Sequence, residues 1–138
     1  RIQVEHPVTE LLTGIDLVKS QILLAAGESL PCKQDDVRIT GHAIEVRLCA
    51  EDPEADYRPS TGVLTEVVWP PDTRIDTWIE RGSEVSPFFD SLSAKLLVVA
   101  PTRDEALVRL RAALASTRVG GLGIFPPAGS ARAIQIAL

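Results

Sequence analysis

The chain has 138 residues, of which 45% are hydrophobic and 24% are charged, and its net charge is −5. This length and apolar content predict a globular domain, or a part of one, with a buried core. Scattered basic residues and an aromatic content of only 4% argue against nucleic acid as a partner. The apolar runs fall far short of the roughly 20 residues that span a bilayer, so no membrane segment is expected.

The two cysteines, Cys32 and Cys49, lie in unrelated contexts without metal-ligand spacing. We therefore expect reduced thiols in a cytoplasmic protein, with no disulfide, metal site or signal peptide. The chain begins with Arg1 inside a dense polar motif, which indicates a piece of a longer protein.

The first part of the chain predicts one helix between two irregular segments. Residues 1–14 are expected to be extended and then to turn, because Pro7 is expected to break any helix there. Asp16 caps a helix that runs to about Ala26, and Gly27 suits a left-handed stop. Residues 27–40 then form a connector.

Strands dominate the middle of the chain. Residues 41–50 alternate between apolar and mixed side chains, which predicts a strand with one apolar face and with Glu45 and Arg47 on the other. Three further apolar or alternating runs predict three more strands: residues 63–69, 74–80 and 95–99.

A second helix is predicted near the end. Thr102 and Glu105 form a capping box that opens the helix, and Gly120 and Gly121 end it. Strands followed by a helix, without regular strand–helix alternation, predict an α+β fold with a small antiparallel sheet and flanking helices.

The opening motif RIQVEHPVTE carries the strongest chemical signal. In an extended segment Arg1, Gln3 and Glu5 share one face and combine a guanidinium, an amide and a carboxylate. A guanidinium holds a small planar oxyanion by two parallel hydrogen bonds, and a carboxylate beside it can take a proton. Chemistry alone leaves a solvated polar strand edge as the more common alternative.

Two other groups have similarly open interpretations. Arg47 shares a strand face with Glu45, which is usually a surface ion pair. Phe88 and Phe89 suggest a core or an interface, and Asp90 is either a turn residue or the partner of an arginine.

Six strings in order and register resemble the biotin carboxylase family from Arg1 to about Val119. They are RIQVEHPVTE, TGIDLV, AAGESL, GHAIEVRLCAEDP, PSTG and EVSPFFDSLSAKL. The resemblance implies the family's carboxyl-terminal domain, of the rudiment single hybrid motif type. After Val119 the chain departs from the family pattern. The implied organisation is the end of an ATP-grasp domain with a connecting helix (residues 1–28), the biotin carboxylase C-terminal domain (29–119) and a divergent tail (120–138).

The resemblance also implies a role for each site residue. Arg1 grips bicarbonate together with Gln3 and the backbone amide of Val4, and Glu5 is the general base. Arg47 stabilises the biotin enolate. The implied reaction is an ATP-dependent ligation, in which bicarbonate attacks ATP to give carboxyphosphate. Carboxyphosphate then breaks down to carbon dioxide and phosphate, the phosphate removes the ureido proton of biotin, and the resulting enolate captures the carbon dioxide.

Several partners follow from the same resemblance. The intact enzyme would use ATP, magnesium and biotin, with most ATP and magnesium ligands on a preceding ATP-grasp domain. A biotin carboxyl carrier domain and a carboxyltransferase domain or subunit would be partners. The enzyme would form a homodimer, with Arg74 near the contact. The acceptor stays open among acetyl-CoA, propionyl-CoA, pyruvate and urea, because the transferase chooses it. The alternative is a non-catalytic module for oligomerisation or carrier binding.

Overall fold

The computed structural model describes residues 1–121 and 134–137. Three helices are present in these ranges: α1 (His6–Thr13), α2 (Leu17–Ala25) and α3 (Arg103–Ser116). Ten strands accompany them: β1 (His42–Cys49), β2 (Glu51–Asp52), β3 (Arg58–Pro59), β4 (Gly62–Val63), β5 (Glu66–Val68), β6 (Arg74–Thr77), β7 (Glu84–Val85), β8 (Leu92–Ala100), β9 (Arg118–Gly120) and β10 (Ile134–Ala137).

The main sheet has four strands in the order β10-β1-β8-β6, and its neighbours are antiparallel. Three two-stranded pairs surround it, β2 with β3, β4 with β7 and β5 with β9. The predicted α+β class with a small antiparallel sheet and flanking helices is thereby confirmed. In the register of the main sheet, Lys95 of β8 lies opposite Arg47 on one side and Asp76 on the other.

Helix α3 covers one face of the main sheet with apolar side chains. Thr102 Oγ1 accepts a hydrogen bond from the Glu105 N–H at 3.3 Å, which is one of the two bonds of the predicted capping box. The buried residues of this core are small or branched: Ile44, Val46, Ala94, Leu96, Val98, Ala100, Ala106, Leu110 and Ala113. The apolar face predicted for residues 41–50 therefore packs under the predicted second helix.

The end of α3 was predicted too late in the chain. The helix ends at Ser116, and Arg118–Gly120 forms β9 beside β5. Gly121 follows with φ +105°, where an added Cβ would lie 2.4 Å from Thr65 N, so only glycine fits. The predicted strand 63–69 is likewise divided, because β4 pairs with β7 whereas β5 pairs with β9.

The predicted extended segment over residues 1–14 is wrong, because α1 occupies most of it. Pro7 lies in the first turn of α1, where its missing N–H costs no helical hydrogen bond, and it is buried. Gly14 ends α1 with φ +73°. The first predicted helix, capped by Asp16, is confirmed as α2, with Asp16 Oδ1 accepting from Lys19 N–H at 2.8 Å.

The described residues contain no helix that is both long and apolar enough to cross a membrane. Both cysteines are free thiols. The predicted tail at 120–138 falls mostly outside the described residues, apart from Gly120, Gly121 and strand β10.

Candidate active site

The segment before α1 brings three predicted site residues to one groove. Arg1, Gln3 and Glu5 line a groove of about 600 Å³ between the start of α1 and α2. The segment turns at Val4 and Glu5 rather than staying extended. The Gln3 carbonyl accepts from the His6 backbone N–H at 3.3 Å and lies 2.8 Å from His6 Nδ1. A turn therefore replaces the predicted strand edge, yet the three side chains still share one cavity.

Helix α2 forms the other wall of this groove. Four of its residues line the cavity: Leu17, Ser20, Gln21 and Leu24. The wall is mixed in character, with a buried hydroxyl, an amide and two aliphatic side chains. The groove thus combines donors on Arg1 and Gln3, an acceptor on Glu5 and an apolar border. This donor set matches a small oxyanion that also carries a proton.

Arg47 reaches the same segment from β1. Its Nη2 forms an ion pair and a hydrogen bond with Glu5 Oε1. The two side chains are 31% and 28% exposed, so this pair is only partly open to solvent. The hydrogen bond from Arg47 lowers the pKa of Glu5, which keeps the carboxylate ionised at neutral pH.

The sequence-based pairing of Arg47 with Glu45 is wrong. The Glu45 side chain is fully buried, and among the described residues neither carboxylate oxygen has a hydrogen-bond partner. Burial raises the pKa of Glu45 to about 7, and the charges of Glu5 and Asp76 act in the same direction. The face of β1 opposite the apolar core is therefore covered rather than solvated, with α1 packed on it.

Two site residues escaped the sequence analysis, Lys95 and Asp76. With Arg47 they form one row across β1, β8 and β6. Lys95 Nζ donates to the Val4 carbonyl at 3.2 Å and lies 3.4 Å from Asp76 Oδ2. Lys95 is the only charged residue within the apolar run of β8. That isolated charge was the available signal, since a lysine is rarely buried without a partner.

Arg74 extends this row to the edge of the sheet. Its guanidinium donates to both Asp76 oxygens at 2.9 and 3.1 Å and lies 2.9 Å from Glu10 Oε2. The bond to Asp76 raises the pKa of Arg74. Burial opposes ionisation of Asp76, but the hydrogen bonds and positive charges of Arg74 and Lys95 together outweigh it and lower the pKa of Asp76. Glu10 Oε1 also accepts from the Leu17 N–H at 3.0 Å, so Arg74 connects β6, α1 and the start of α2.

The aromatic loop after β7 is open to solvent. Phe88 and Phe89 are 87% and 82% exposed. Asp90 Oδ1 accepts from the Leu92 N–H at 2.8 Å, which makes it a turn residue. Of the two interpretations left open for this loop, the structure of this chain excludes a place in its core.

Two family models match the chain, and all residues that line the groove lie within one of the two matched ranges. The biotin carboxylase C-terminal domain model matches residues 45–124, which is more than half of the chain. The carbamoyl-phosphate synthase L chain, ATP binding domain model matches residues 1–33. The chain belongs to the biotin carboxylase family. The biotin carboxylase C-terminal domain match contains Arg47 and Arg74, and the ATP binding domain match contains Arg1 and Glu5. The ion pair between Arg47 and Glu5 therefore joins the two matched regions.

Relatives and a solved structure agree with the family assignment. The chain is 46% identical over 124 residues to the biotin carboxylase of Nostoc sp., covering 88% of the chain and 28% of that protein. It is 46% identical over 125 residues to the mitochondrial methylcrotonoyl-CoA carboxylase subunit alpha of Rattus norvegicus, covering 88% and 18%. The chain is also similar to a solved structure, the biotin carboxylase domain dimer of Hydrogenobacter thermophilus 2-oxoglutarate carboxylase in complex with MgADP, ADP and bicarbonate. The sequence identity is 45% and the TM-score is 0.85, and the match covers 88% of this chain and 27% of that chain.

The chain spans less than a third of the length of these biotin carboxylase relatives. Relatives named for two different acceptors, methylcrotonoyl-CoA and 2-oxoglutarate, are 46% and 45% identical to it. This part of the fold is therefore shared by carboxylases that differ in their acceptor.

Proposed function

We propose that the chain completes the active site of an ATP-dependent biotin carboxylase, with a preceding ATP-grasp portion supplying the rest. The observation that carries this proposal is the convergence of predicted site residues from two parts of the chain, the segment before α1 and strand β1. Arg1, Gln3 and Glu5 line one groove, and Arg47 from the neighbouring strand is paired with Glu5. A solvated strand edge or an ordinary surface ion pair gives no reason for this convergence.

Bicarbonate is the substrate that fits the groove. Its two unprotonated oxygens match the fork of Arg1, and the amide of Gln3 and the backbone N–H of Val4 offer further donors. Its acidic proton needs an ionised acceptor within hydrogen-bond reach, which the depressed pKa of Glu5 supplies. Removing a proton from bound bicarbonate requires hydrogen-bond donors that hold the anion and a carboxylate base in the same cavity, and this groove has both.

The Glu5–Arg47 pair couples two roles in the reaction. While Glu5 is ionised, it holds the Arg47 guanidinium. Once Glu5 accepts the bicarbonate proton it becomes neutral, and its attraction for Arg47 falls. Arg47 is then free to stabilise the negative charge that develops on the ureido oxygen of biotin as the phosphate released from carboxyphosphate takes the ureido proton. The proton taken in the first stage thus releases the cation needed in the second.

The described residues carry side chains suited to binding an anion. Residues 1–121 and 134–137 contain no group of three or more His, Cys, Asp or Glu that could hold a metal ion. ATP supplies the phosphoryl group that activates bicarbonate, and carrier-bound biotin accepts the carboxyl group. We assign the ATP and magnesium ligands to the ATP-grasp portion.

The finer organisation is part of the same proposal. We assign residues 1–28 to the end of the ATP-grasp domain, 29–119 to the C-terminal domain of rudiment single hybrid motif type, and 120–138 to a divergent tail. The short paired strands support that motif type. A carrier domain, a carboxyltransferase and a second copy of the enzyme would be the partners. Arg74 at the edge strand β6 supports the dimer contact, and the free thiols support a cytoplasmic location.

The test is substitution of the paired groups in the intact carboxylase that carries this chain. Glu5→Gln removes the base and Arg47→Ala removes the cation. Each is expected to lower biotin-dependent ATP cleavage by at least about a hundredfold. Steady-state phosphate release with and without free biotin measures this. The 138-residue chain by itself is expected to show no biotin-stimulated ATP hydrolysis.

Glu28→Gln and Arg38→Ala are the matched controls, because both residues are exposed and outside the groove. Both are expected to keep normal turnover. Unchanged turnover in Glu5→Gln and Arg47→Ala would reject the proposal and favour a non-catalytic module.

A further inference from the structure

We propose that Lys95 is a positioning residue for the carboxylation reaction, holding the Val4 carbonyl so that Glu5 and the Val4 amide keep their places in the groove. This inference rests on the proposed function and adds a residue to its site. Lys95 does not line the groove, so it acts through the backbone rather than on the substrate.

The environment of Lys95 shows a built contact rather than a chance one. Its side chain is only 14% exposed, and its ammonium lies between two oxygens, Val4 O at 3.2 Å and Asp76 Oδ2 at 3.4 Å. The contact with Val4 joins residues 91 positions apart in the chain. Asp76 is itself fixed by two hydrogen bonds from Arg74. The ammonium is therefore anchored on the sheet side and directed at the segment that carries the site.

The Val4 carbonyl is an effective point from which to control Glu5. The Val4 C=O and the Glu5 N–H belong to the same planar peptide group, so fixing one fixes the other. Glu5 has φ −81° and ψ 8°, the ordinary angles of the third residue of the turn that the His6 N–H closes on the Gln3 carbonyl. The Lys95 bond holds the same turn from the side of the sheet, at the peptide that joins Val4 to the base.

The charge of Lys95 is the second part of its role. Together with Arg47, it places two cations beside Glu5 and contributes to the lowered pKa of that carboxyl. Loss of the ammonium is expected to displace the base and raise its pKa. A misplacement of about 1 Å at a reacting group can reduce a rate by about a hundredfold. Bicarbonate use should therefore suffer more than ATP binding.

The experiment compares three lysine variants in the intact carboxylase. Lys95→Met removes the charge and both donor contacts, and Lys95→Arg retains them. Lys19→Met is the matched control, because Lys19 is an exposed residue of α2 that does not line the groove. Lys95→Met is expected to reduce kcat/KM for bicarbonate at least about tenfold, with KM for ATP changed less than twofold. Lys95→Arg should recover most of this loss, and Lys19→Met should match the wild type.

The pH profile separates positioning from a general loss of structure. In Lys95→Met the acidic limb of the kcat/KM profile for bicarbonate should move to higher pH, because the base has lost a neighbouring cation. Thermal unfolding of each variant identifies any that fail to fold, and Lys95→Gln, which keeps a donor without the charge, then replaces Lys95→Met. An equal fall in use of bicarbonate and ATP, with an unmoved limb, would overturn the inference.

Combination with Glu5→Gln distinguishes the two proposals. If Lys95 acts through Glu5, Lys95→Met should cause little further loss in the Glu5→Gln background. A normal Glu5→Gln enzyme would defeat the proposed function itself. A defective Glu5→Gln enzyme beside a normal Lys95→Met enzyme would defeat only the positioning role.

Discussion

The two faces of the main sheet are built from alternate residues of the same strands, yet they differ completely in character. Under α3, Val46 and Leu96 lie opposite each other in a wholly apolar core. One residue away on each strand, Arg47 and Lys95 lie opposite each other on the face that meets α1. That second face carries the charges that contact the segment lining the groove, and Glu45 is buried within it without a hydrogen-bond partner among the described residues.

The two faces of the same strands serve different purposes, one for stability and the other for function. Apolar burial stabilises a fold in proportion to the area removed from water, and it requires no particular direction. Buried charges contribute little net stability, because desolvation opposes their attraction, but they fix geometry. We therefore expect the α3 face to determine whether the chain folds and the α1 face to determine whether the groove works.

The largest expected effect on stability comes from truncating a buried side chain of the apolar face. Leu96→Ala removes a side chain that is 1% exposed and should lower the free energy of unfolding by about 3 kcal/mol. Urea unfolding of the chain measures this loss. Val108→Ala on the exposed side of α3 is the matched control and should stay within about 0.5 kcal/mol. A loss under 1 kcal/mol for Leu96→Ala would place the stabilising core elsewhere.

The buried carboxyl of Glu45 predicts a pH dependence on the charged face. Its pKa rises from the ordinary 4.5 to about 7 on folding, so the folded state binds the proton more tightly. The stabilising contribution is complete below pH 4.5 and is lost as the pH rises through about 7. Glu45→Gln removes this dependence. Between pH 4.5 and 7.5 the wild type should lose up to about 3 kcal/mol relative to the variant.

Unfolding curves of both proteins across this pH range test the prediction, since other titrating groups cancel in the difference. The charged groups that set the Glu45 pKa are Glu5, Asp76, Arg47 and Lys95. Parallel stability profiles would show that Glu45 has an ionisable partner or solvent contact.

A smaller effect is expected at the edge of the charged face. Arg74→Ala breaks the contacts with Glu10 and Asp76, but the guanidinium is 36% exposed, so the expected loss of stability is about 1 kcal/mol. If Arg74 also lies at the proposed dimer contact, the intact carboxylase should shift towards monomer in sedimentation velocity. Arg81→Ala, at an exposed turn, is the control. An unshifted dimer would remove Arg74 from the interface.

The smallest effect is expected for an ion pair outside both faces. Arg118 Nε lies 2.8 Å from Glu66 Oε1, and these side chains are 49% and 50% exposed. Arg118→Ala should cost at most about 0.5 kcal/mol and should show no cost in concentrated salt. Thermal unfolding at low and high salt checks this. A loss as large as that at Leu96 would contradict the separation of the two faces.

Local signals in the sequence predicted the parts of the fold that depend on neighbours in the chain. The alternation around Val46 gave the strand, and Thr102 and Asp16 marked the starts of α3 and α2. Pro7 misled because proline is compatible with the first turn of a helix as well as with a break. The end of α3 was missed because the pairing of β9 with β5 joins residues about 50 positions apart.

The site was predictable only in its chemistry and not in its pairings. The opening motif and Arg47 were identified from residue types and from family resemblance. The prediction that Arg47 pairs with Glu45 was wrong, because a charged residue on a strand face has several possible neighbours. The sheet register and the position of α1 decide among them. Lys95 was missed for the same reason, since its contacts with Val4 and Asp76 cross from β8 to other elements.

The central claim is that Glu5 and Arg47 act together on one bound substrate. A double-mutant cycle on biotin-dependent ATP cleavage tests it most directly, using Glu5→Gln, Arg47→Ala and both together in the intact carboxylase. Groups that act as a unit are strongly non-additive, so the double variant should be about as impaired as the worse single variant. Losses that multiply, to roughly ten-thousandfold for two hundredfold single effects, would show that the two residues act independently and would contradict the account.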